Sequence, residues 1–196
     1  VGTPGVGRVG ADNRLVVAHL GNGASMCAIQ HGVSVASTMG FTALDGLPMG
    51  TRCGQIDPGV LLYLMMEKGM TPEDLTTLLY TESGLKGLSG ISNDMRDLET
   101  SDAPAAARAI DYFVFRARRE LGAMAAVLRG LDAVVLTGGI GENAASIRHR
   151  ILHDEEWLGI SIDDARNDGN AQEISADASP VQVYVIPTNQ AAMIPR

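Results

Sequence analysis

The chain has 196 residues, 45% hydrophobic and 19% charged, with a formal net charge of −8. That length suits one large domain or two small ones with ample material for a core, and the composition excludes a disordered chain. The acidic balance excludes a nucleic-acid binder, which needs a basic face, but leaves open small phosphorylated ligands, which need only a local cluster of donors.

The chain opens with Val rather than Met, and VGTPGVGRVG is glycine-rich without apolar periodicity, so residues 1–13 read as a linker or a truncated edge. Leu15 to Ser25, LVVAHLGNGAS, reads as a strand, a turn at Gly21-Asn22-Gly23 and the start of a returning strand. Asn-Gly between strand-like runs predicts a type I′ hairpin, which needs positive φ at both central residues. Taken alone this is an ordinary hairpin. The same turn also suits a phosphate cradle, because the N–H groups of Gly21 and Gly23 can approach an anion, with Asn22 and His19 adding side-chain donors. Val33 to Thr38 predicts a third strand after a turn at His31-Gly32, giving an antiparallel meander.

Met39 to Pro58 follows with neither a strand nor a helix period, and a loop of that length in a compact domain implies a task. Arg52, between Gly50 and Gly54, is its only cation; its fork suits a carboxylate or phosphate, or equally a pairing with Asp45 or Asp57. Asp57-Pro58 starts a helix that runs to Gly69, and Thr71-Pro72-Glu73-Asp74 starts a second one. Thr81 to Gly90 reads as a loop, and Ser92 to Arg96 opens a short helical piece in which Asp94 and Arg96 form either a local ion pair or part of a ligand site.

Ser101 to Arg129 carries Ala105, Ala109, Tyr112, Phe113, Arg116, Glu120, Met124, Val127 and Leu128 at helical spacing, predicting a buried central helix without chemistry. Asp132 to Thr137 is a continuous apolar run suited to a strand covered on both faces, and Glu142 to Leu152 reads as a helix. Between them lie Gly138-Gly139-Ile140-Gly141-Glu142-Asn143, and strand, glycine turn and helix start together suit a nucleotide. The run is neither GxGxxG nor a Walker A motif. Ile160 to Asn167 contains a short strand, residues 169–180 a polar loop, and Val181 to Ile186 a last strand. Cys27 and Cys53 fit no metal-ligand spacing; with no leader-like or membrane-length apolar segment, the chain reads as cytoplasmic, with free thiols and no membrane partner.

Three motifs together resemble one family, the acetate kinases with the related propionate kinases, in the superfamily of sugar kinases, the heat-shock ATPase domain and actin. HLGNGAS is similar to the family's second phosphate motif, MGFTALDGLPMGTRCGQIDP to its signature MGFTPLEGLxMGTRxGxIDP, and LTGGIGEN to its adenosine motif; the likeness runs from about Leu15 to Gln190. It implies an α/β, ribonuclease-H-like (actin-like ATPase) lobe, its mixed sheet begun by the antiparallel three-strand meander and flanked by helices. It also implies transfer of a phosphoryl group between ATP and acetate or another short-chain carboxylate. By position, Arg52 is the catalytic arginine that grips the carboxylate, and Asn22, with His19 and Gly23, holds phosphoryl oxygens. Gly21 belongs to the same cradle, and Asp94, Arg96, Gly138, Gly139, Ile140, Gly141, Glu142 and Asn143 hold the ATP/ADP end.

The family also uses groups from an N-terminal lobe that does not appear here, so residues 14–196 are expected to be the C-terminal, nucleotide-binding lobe of a two-lobed kinase, inactive alone and homodimeric. Where the family reads PTNEE, with a glutamate helping to bind Mg²⁺, this chain has Gln190, an amide without charge for a hard cation. Ala43 stands where the family has a proline lining the acyl pocket, which suits propionate as well as acetate. A catalytically silent nucleotide-binding relative is the alternative.

Overall fold

A computed structural model describes residues 12–188; the expected linker over 1–13 and the Gln190 position lie largely or wholly outside these. A mixed five-stranded sheet forms the centre. Its strands are β1 (Leu15–Leu20), β2 (Ala24–Gln30), β3 (Val33–Ser37), β4 (Ala133–Thr137) and β5 (Gln182–Val185), in the order β3-β2-β1-β4-β5. The first three form the expected antiparallel meander, whereas β4 lies parallel to β1 and β5 parallel to β4. This is the ribonuclease-H-like order, with helices flanking the sheet. Arg14 pins the β1–β4 register at its start, donating from Nη2 to Asp132 Oδ1 at 2.6 Å and from its backbone N–H to Oδ2 at 2.7 Å.

Alternation in β1 sends Val16, Ala18 and Leu20 into the core, joined by Ala24, Met26 and Ala28 of β2. Across them lies α5 (Pro104–Leu128), roughly 37 Å long at 1.5 Å per residue. Ala106, Ala109, Phe113, Ala117 and Leu121 form its buried stripe, while Val127 faces solvent. The small residues let the helix approach the sheet closely.

Asp57 and Thr71 cap α1 (Pro58–Lys68) and α2 (Pro72–Thr81) as their sequences predict: Asp57 Oδ1 accepts from the Gly59 N–H at 2.8 Å, and Thr71 forms a capping box with Asp74. α1 nevertheless buries none of its residues and leaves Leu62, Tyr63, Met65 and Met66 exposed.

Three expectations are corrected. The stretch read as a loop contains α3 (Gly84–Ser89), because the Leu85 and Lys86 N–H groups donate to the Met49 and Gly50 carbonyls at 2.9 Å, tertiary partners that outweigh the low helix propensity of glycine and serine. Gly138-Gly139 is not a turn before a helix but the start of one: α6 (Gly138–Asn143) follows β4 at once, and α7 (Ala145–Leu152) follows a break at Ala144. The short strand expected near residue 160 reduces to isolated bridges at Ile160 and Ile162, followed by the helical turn α8 (Asp164–Asp168). The remaining short helix, α4 (Met95–Glu99), lies where expected.

Candidate functional site

The C-terminal ends of β1 and β4 lie side by side, with His19 opposite Thr137, so the turn after β1 and the helix after β4 emerge together. In α/β sheets, ligands bind at the carboxyl ends of such strands. A Cβ on Gly21 would sit 3.6 Å from the Gly139 backbone nitrogen, and the His19 ring lies against both Gly21 and Gly138.

The turn is not the expected type I′. Neither Asn22 nor Gly23 has positive φ; the left-handed pair is His31 (φ 51°) and Gly32 (φ 74°), in the next turn. Three residues rather than two connect β1 to β2, the Gly21 N–H donates to the Gly23 carbonyl at 3.0 Å, and the Asn22 carbonyl accepts from the Gly50 N–H at 3.0 Å. The arginine-bearing loop therefore holds the turn in shape. Gly50 permits this approach: a Cβ there would meet Asn22 Oδ1 at 2.0 Å. Asn93 Nδ2 donates to the same Asn22 oxygen at 3.2 Å.

That contact brings Arg52 beside the turn, with Nη2 3.4 Å from where a Gly23 Cβ would stand. Nη1 donates to the Ala43 carbonyl at 2.9 Å. Among the described residues Arg52 forms no ion pair, so the pairing with Asp45 or Asp57 is not made. A half-buried guanidinium with spare donors beside a glycine turn is suited to an anion.

From Gly21 and Asn22 of the turn a cleft of about 420 Å³ runs between α4 and α6, lined also by Asp94, Arg96, Gly139, Ile140 and Asn143. Asp94 and Arg96 do pair: Nη2 donates to Oδ2 at 2.5 Å and Nε to Oδ1 at 3.1 Å. The bond from the Arg96 side chain, then that from its N–H, bring the Asp94 carboxyl down to about 2. The pair is a local ion pair and a cleft wall at once.

Other glycine-motif residues lie beneath the cleft rather than in it. The Gly138 N–H donates to Glu142 Oε1 at 2.9 Å, and that oxygen also accepts from the Thr188 N–H at 2.8 Å. Burial pushes the Glu142 carboxyl up, but the bonds from Thr188 and Gly138 and the nearby His19 outweigh it, leaving its pKa lowered. Gly138 (φ 81°) and Gly141 are buried and outside the cleft lining, Gly141 against Leu136 and Leu20. Asn143 donates to the Gly139 carbonyl at 2.9 Å and still faces the cleft.

Sequence reasoning missed Asn93, Met95 and Glu99, which also line the cleft. Their signal was proximity to Asp94 and Arg96, Asn93 just before the cap of α4 and Met95 and Glu99 on it. It also missed Arg148, which donates to the Gly141 and Glu142 carbonyls at 3.2 and 3.0 Å and so closes the C-terminal end of α6. No group of three or more His, Cys, Asp or Glu side chains suited to a metal occurs among the described residues.

The Acetokinase family model matches residues 4–196. Over 186 residues, 95% of the chain, the sequence is 63% identical to acetate kinase from Methylocella silvestris, and over 184 residues, 94% of the chain, 58% identical to that from Nitrobacter hamburgensis. The crystal structure of Porphyromonas gingivalis acetate kinase superposes with a TM-score of 0.88 at 38% identity, covering 91% of this chain and 46% of that one. A propionate kinase from Francisella tularensis gives 0.85 at 39%, covering 91% and 47%. The chain spans about half the length of the curated relatives it matches, 46% of each of the two above. With the family's sequence pattern along nearly its whole length and the family's fold, the chain belongs to the Acetokinase family.

Proposed function

We propose that this chain is the C-terminal, nucleotide-binding lobe of a two-lobed acetate kinase, which transfers a phosphoryl group between ATP and acetate. One observation carries the reading: Arg52, with donors to spare, stands beside the Gly21–Gly23 turn at the end of the cleft formed by α4 and α6. In the forward direction a carboxylate oxygen attacks the γ-phosphorus as the bond to the ADP oxygen breaks, yielding acetyl phosphate and ADP. Such a transfer asks the protein mainly for positioning and charge neutralisation. Arg52 grips the carboxylate and the developing charge, while His19, Asn22 and the Gly23 N–H face the phosphoryl oxygens; the Gly21 N–H expected to join them is spent on the Gly23 carbonyl and shapes the turn instead. Asp94, Arg96, Gly139, Ile140 and Asn143 hold the adenosine end, with Gly138, Gly141 and Glu142 fixing α6 beneath it. The catalytic groups of the other lobe complete the site, so the isolated lobe is inactive.

Mg²⁺ belongs to the same reading, but the donor set of this lobe fits it poorly. Glu142, the carboxylate of the second glycine segment, is already committed to Gly138 and Thr188, of the cleft-lining carboxylates Asp94 is paired with Arg96 and Glu99 accepts from Ser146, and Gln190 brings an uncharged amide. No step is therefore routed through a metal. A homodimer is supported by the unburied apolar face of α1. A cytoplasmic setting is supported by the free thiols of Cys27 and Cys53, and no helix among the described residues is long and apolar enough to cross a membrane.

The test is hydroxamate detection of acetyl phosphate by the complete two-lobed protein, with Arg52→Ala alongside. A loss of about 100-fold or more in turnover with ATP binding retained supports the reading; unchanged turnover refutes the role of Arg52. Gln190 supports a second reading, a silent nucleotide-binding relative. ATP binding without turnover, restored by Gln190→Glu, would favour it. Comparing propionate with acetate tests whether Ala43 widens the acyl pocket.

A further inference from the structure

We infer that Arg116, in the middle of α5, is a positioning residue that holds the Arg52 loop in its working shape. The inference rests on the reading of Arg52 as the carboxylate-gripping group. Arg116 is 3% exposed. Its Nη2 donates to the Gly46 carbonyl at 3.1 Å and to Gln55 Oε1 at 3.4 Å, and its Nη1 to the Gln55 carbonyl at 3.3 Å and to the Tyr112 hydroxyl at 2.8 Å. Gly46 and Gln55 are the two feet of the loop that carries Arg52, and the Gln55 N–H closes them together by donating to the same Gly46 oxygen at 2.9 Å. One guanidinium therefore grips both feet.

The loop's upper part is held independently. Ser83, Leu85 and Lys86 donate their N–H groups to the Thr51, Met49 and Gly50 carbonyls, each at 2.9 Å, and the Met49 N–H donates to the Arg52 carbonyl at 3.0 Å. With the tip fixed by the start of α3 and the feet by α5, the direction of the Arg52 side chain depends on both.

A space-filling residue at this point of the helix stripe would be apolar. Arg116 instead has only a long ion pair to Glu120, whose Oε1 lies 3.9 Å away and is held at 2.8 Å by Arg119, which also binds Gln55 Oε1. Its Nε is buried with no hydrogen-bond partner. Every hydrogen bond of the guanidinium thus goes to a neutral oxygen, of Gly46, Gln55 or Tyr112, and a planar fork can span two diverging carbonyls where an ammonium cannot.

The experiment is a double-mutant cycle in the complete two-lobed protein, with near-UV circular dichroism to establish folding. Arg116→Met is expected to lower kcat/KM for acetate by about ten- to a hundredfold, the scale of a small displacement of a reacting group. The Kd for ATP is expected to stay within about twofold, because the cleft walls share no partner with Arg116. Arg116→Lys is expected to recover part of the loss. In an Arg52→Lys background, Arg116→Met is expected to add nothing further, because a residue acting through Arg52 has nothing left to position. Folded Arg116→Met with unchanged kcat/KM for acetate overturns the inference, as does a full additional loss in the Arg52→Lys background. If Arg116→Met does not fold, Arg116→Lys and Gln55→Ala replace it in the same cycle. Arg52→Lys without effect on acetate turnover is a different failure, that of the reading of Arg52 itself.

Discussion

Gly138 and Gly139 are adjacent in sequence but are glycines for opposite reasons. At Gly138 the backbone has φ 81° and a Cβ would stand 2.7 Å from the Leu20 carbonyl oxygen, so the fold itself demands glycine. At Gly139 φ is not positive and, beyond its chain neighbours and the backbone of its own helix, no atom of the described residues comes within 4 Å of an added Cβ, although the residue lies in the first turn of α6 and lines the cleft. Gly139→Ala should therefore stabilise the protein by about 0.5–1 kcal/mol through the lower entropy of the unfolded chain. That corresponds to a rise in Tm of roughly 1–4 °C for a domain of this size. The same methyl group occupies the space a nucleotide would need, and a tenfold loss of affinity, about 1.4 kcal/mol, is the least effect expected. Differential scanning calorimetry and titration calorimetry with ATP on the complete protein measure both. A higher Tm with weakened ATP binding supports a ligand-facing role. A higher Tm with unchanged affinity refutes it, and a lower Tm refutes the account of Gly139 as sterically free. Gly138→Ala is the control and should destabilise outright.

Arg148, fully buried, donates five hydrogen bonds to Gly141, Glu142, Asn167 and Asn170. Arg148→Met removes all five bonds, of whose acceptors the Asn167 carbonyl keeps a second donor in the Asn170 N–H, and should cost about 3–5 kcal/mol, lowering Tm by roughly 10 °C; a change under about 2 °C in a thermal melt would contradict it. The Arg14 side chain lowers the Asp132 pKa, its hydrogen bond outweighing burial, so this carboxylate contributes stability that is present above its ordinary 3.8 and is lost as pH falls through the lowered folded-state value. The Tm difference between wild type and Asp132→Asn should be largest near neutrality and close in acid; a difference independent of pH would show that the charge is immaterial. On α1, Met66 and Leu62 are 78% and 59% exposed. If a second copy covers them, Met66→Glu with Leu62→Glu should halve the light-scattering mass, and a mass that stays dimeric, or a wild type that is monomeric, assigns the face to something else.

Much of this fold was legible because its signals are local. Asp57-Pro58 and Thr71-Pro72-Glu73-Asp74 carry their own capping partners within a few residues, and the strands β1 and β2 announce themselves by short apolar runs either side of a Gly-Asn-Gly turn. α3 was not legible because its reason is remote: carbonyls of Met49 and Gly50 await its N-terminal donors. The type I′ geometry was assigned to Asn22-Gly23, where the residue types favour it, but appears at His31-Gly32, because the Asn22 carbonyl is committed to Gly50. Arg116 gave a partial signal. It stood on the helical stripe with Phe113, so a charged residue was visible at a core position, but spacing names a face and not the carbonyls that await it.

Four arginines of this fold illustrate how environment divides one chemistry into separate tasks. A guanidinium offers five N–H donors, and what it can do for a ligand depends on how many remain. All three nitrogens of Arg148 bond to the α6–α8 region, and Arg116 keeps only a buried Nε with nothing in reach, so both are closed to any ligand and act on backbone shape. Arg96 is exposed but turned onto Asp94, which neutralises it and makes it a wall suited to an uncharged ring. Arg52 alone among them spends a single bond, to the Ala43 carbonyl, among the described residues. It is therefore the one whose charge and donors remain for an anion, and it is the one whose loop Arg116 grips at both feet.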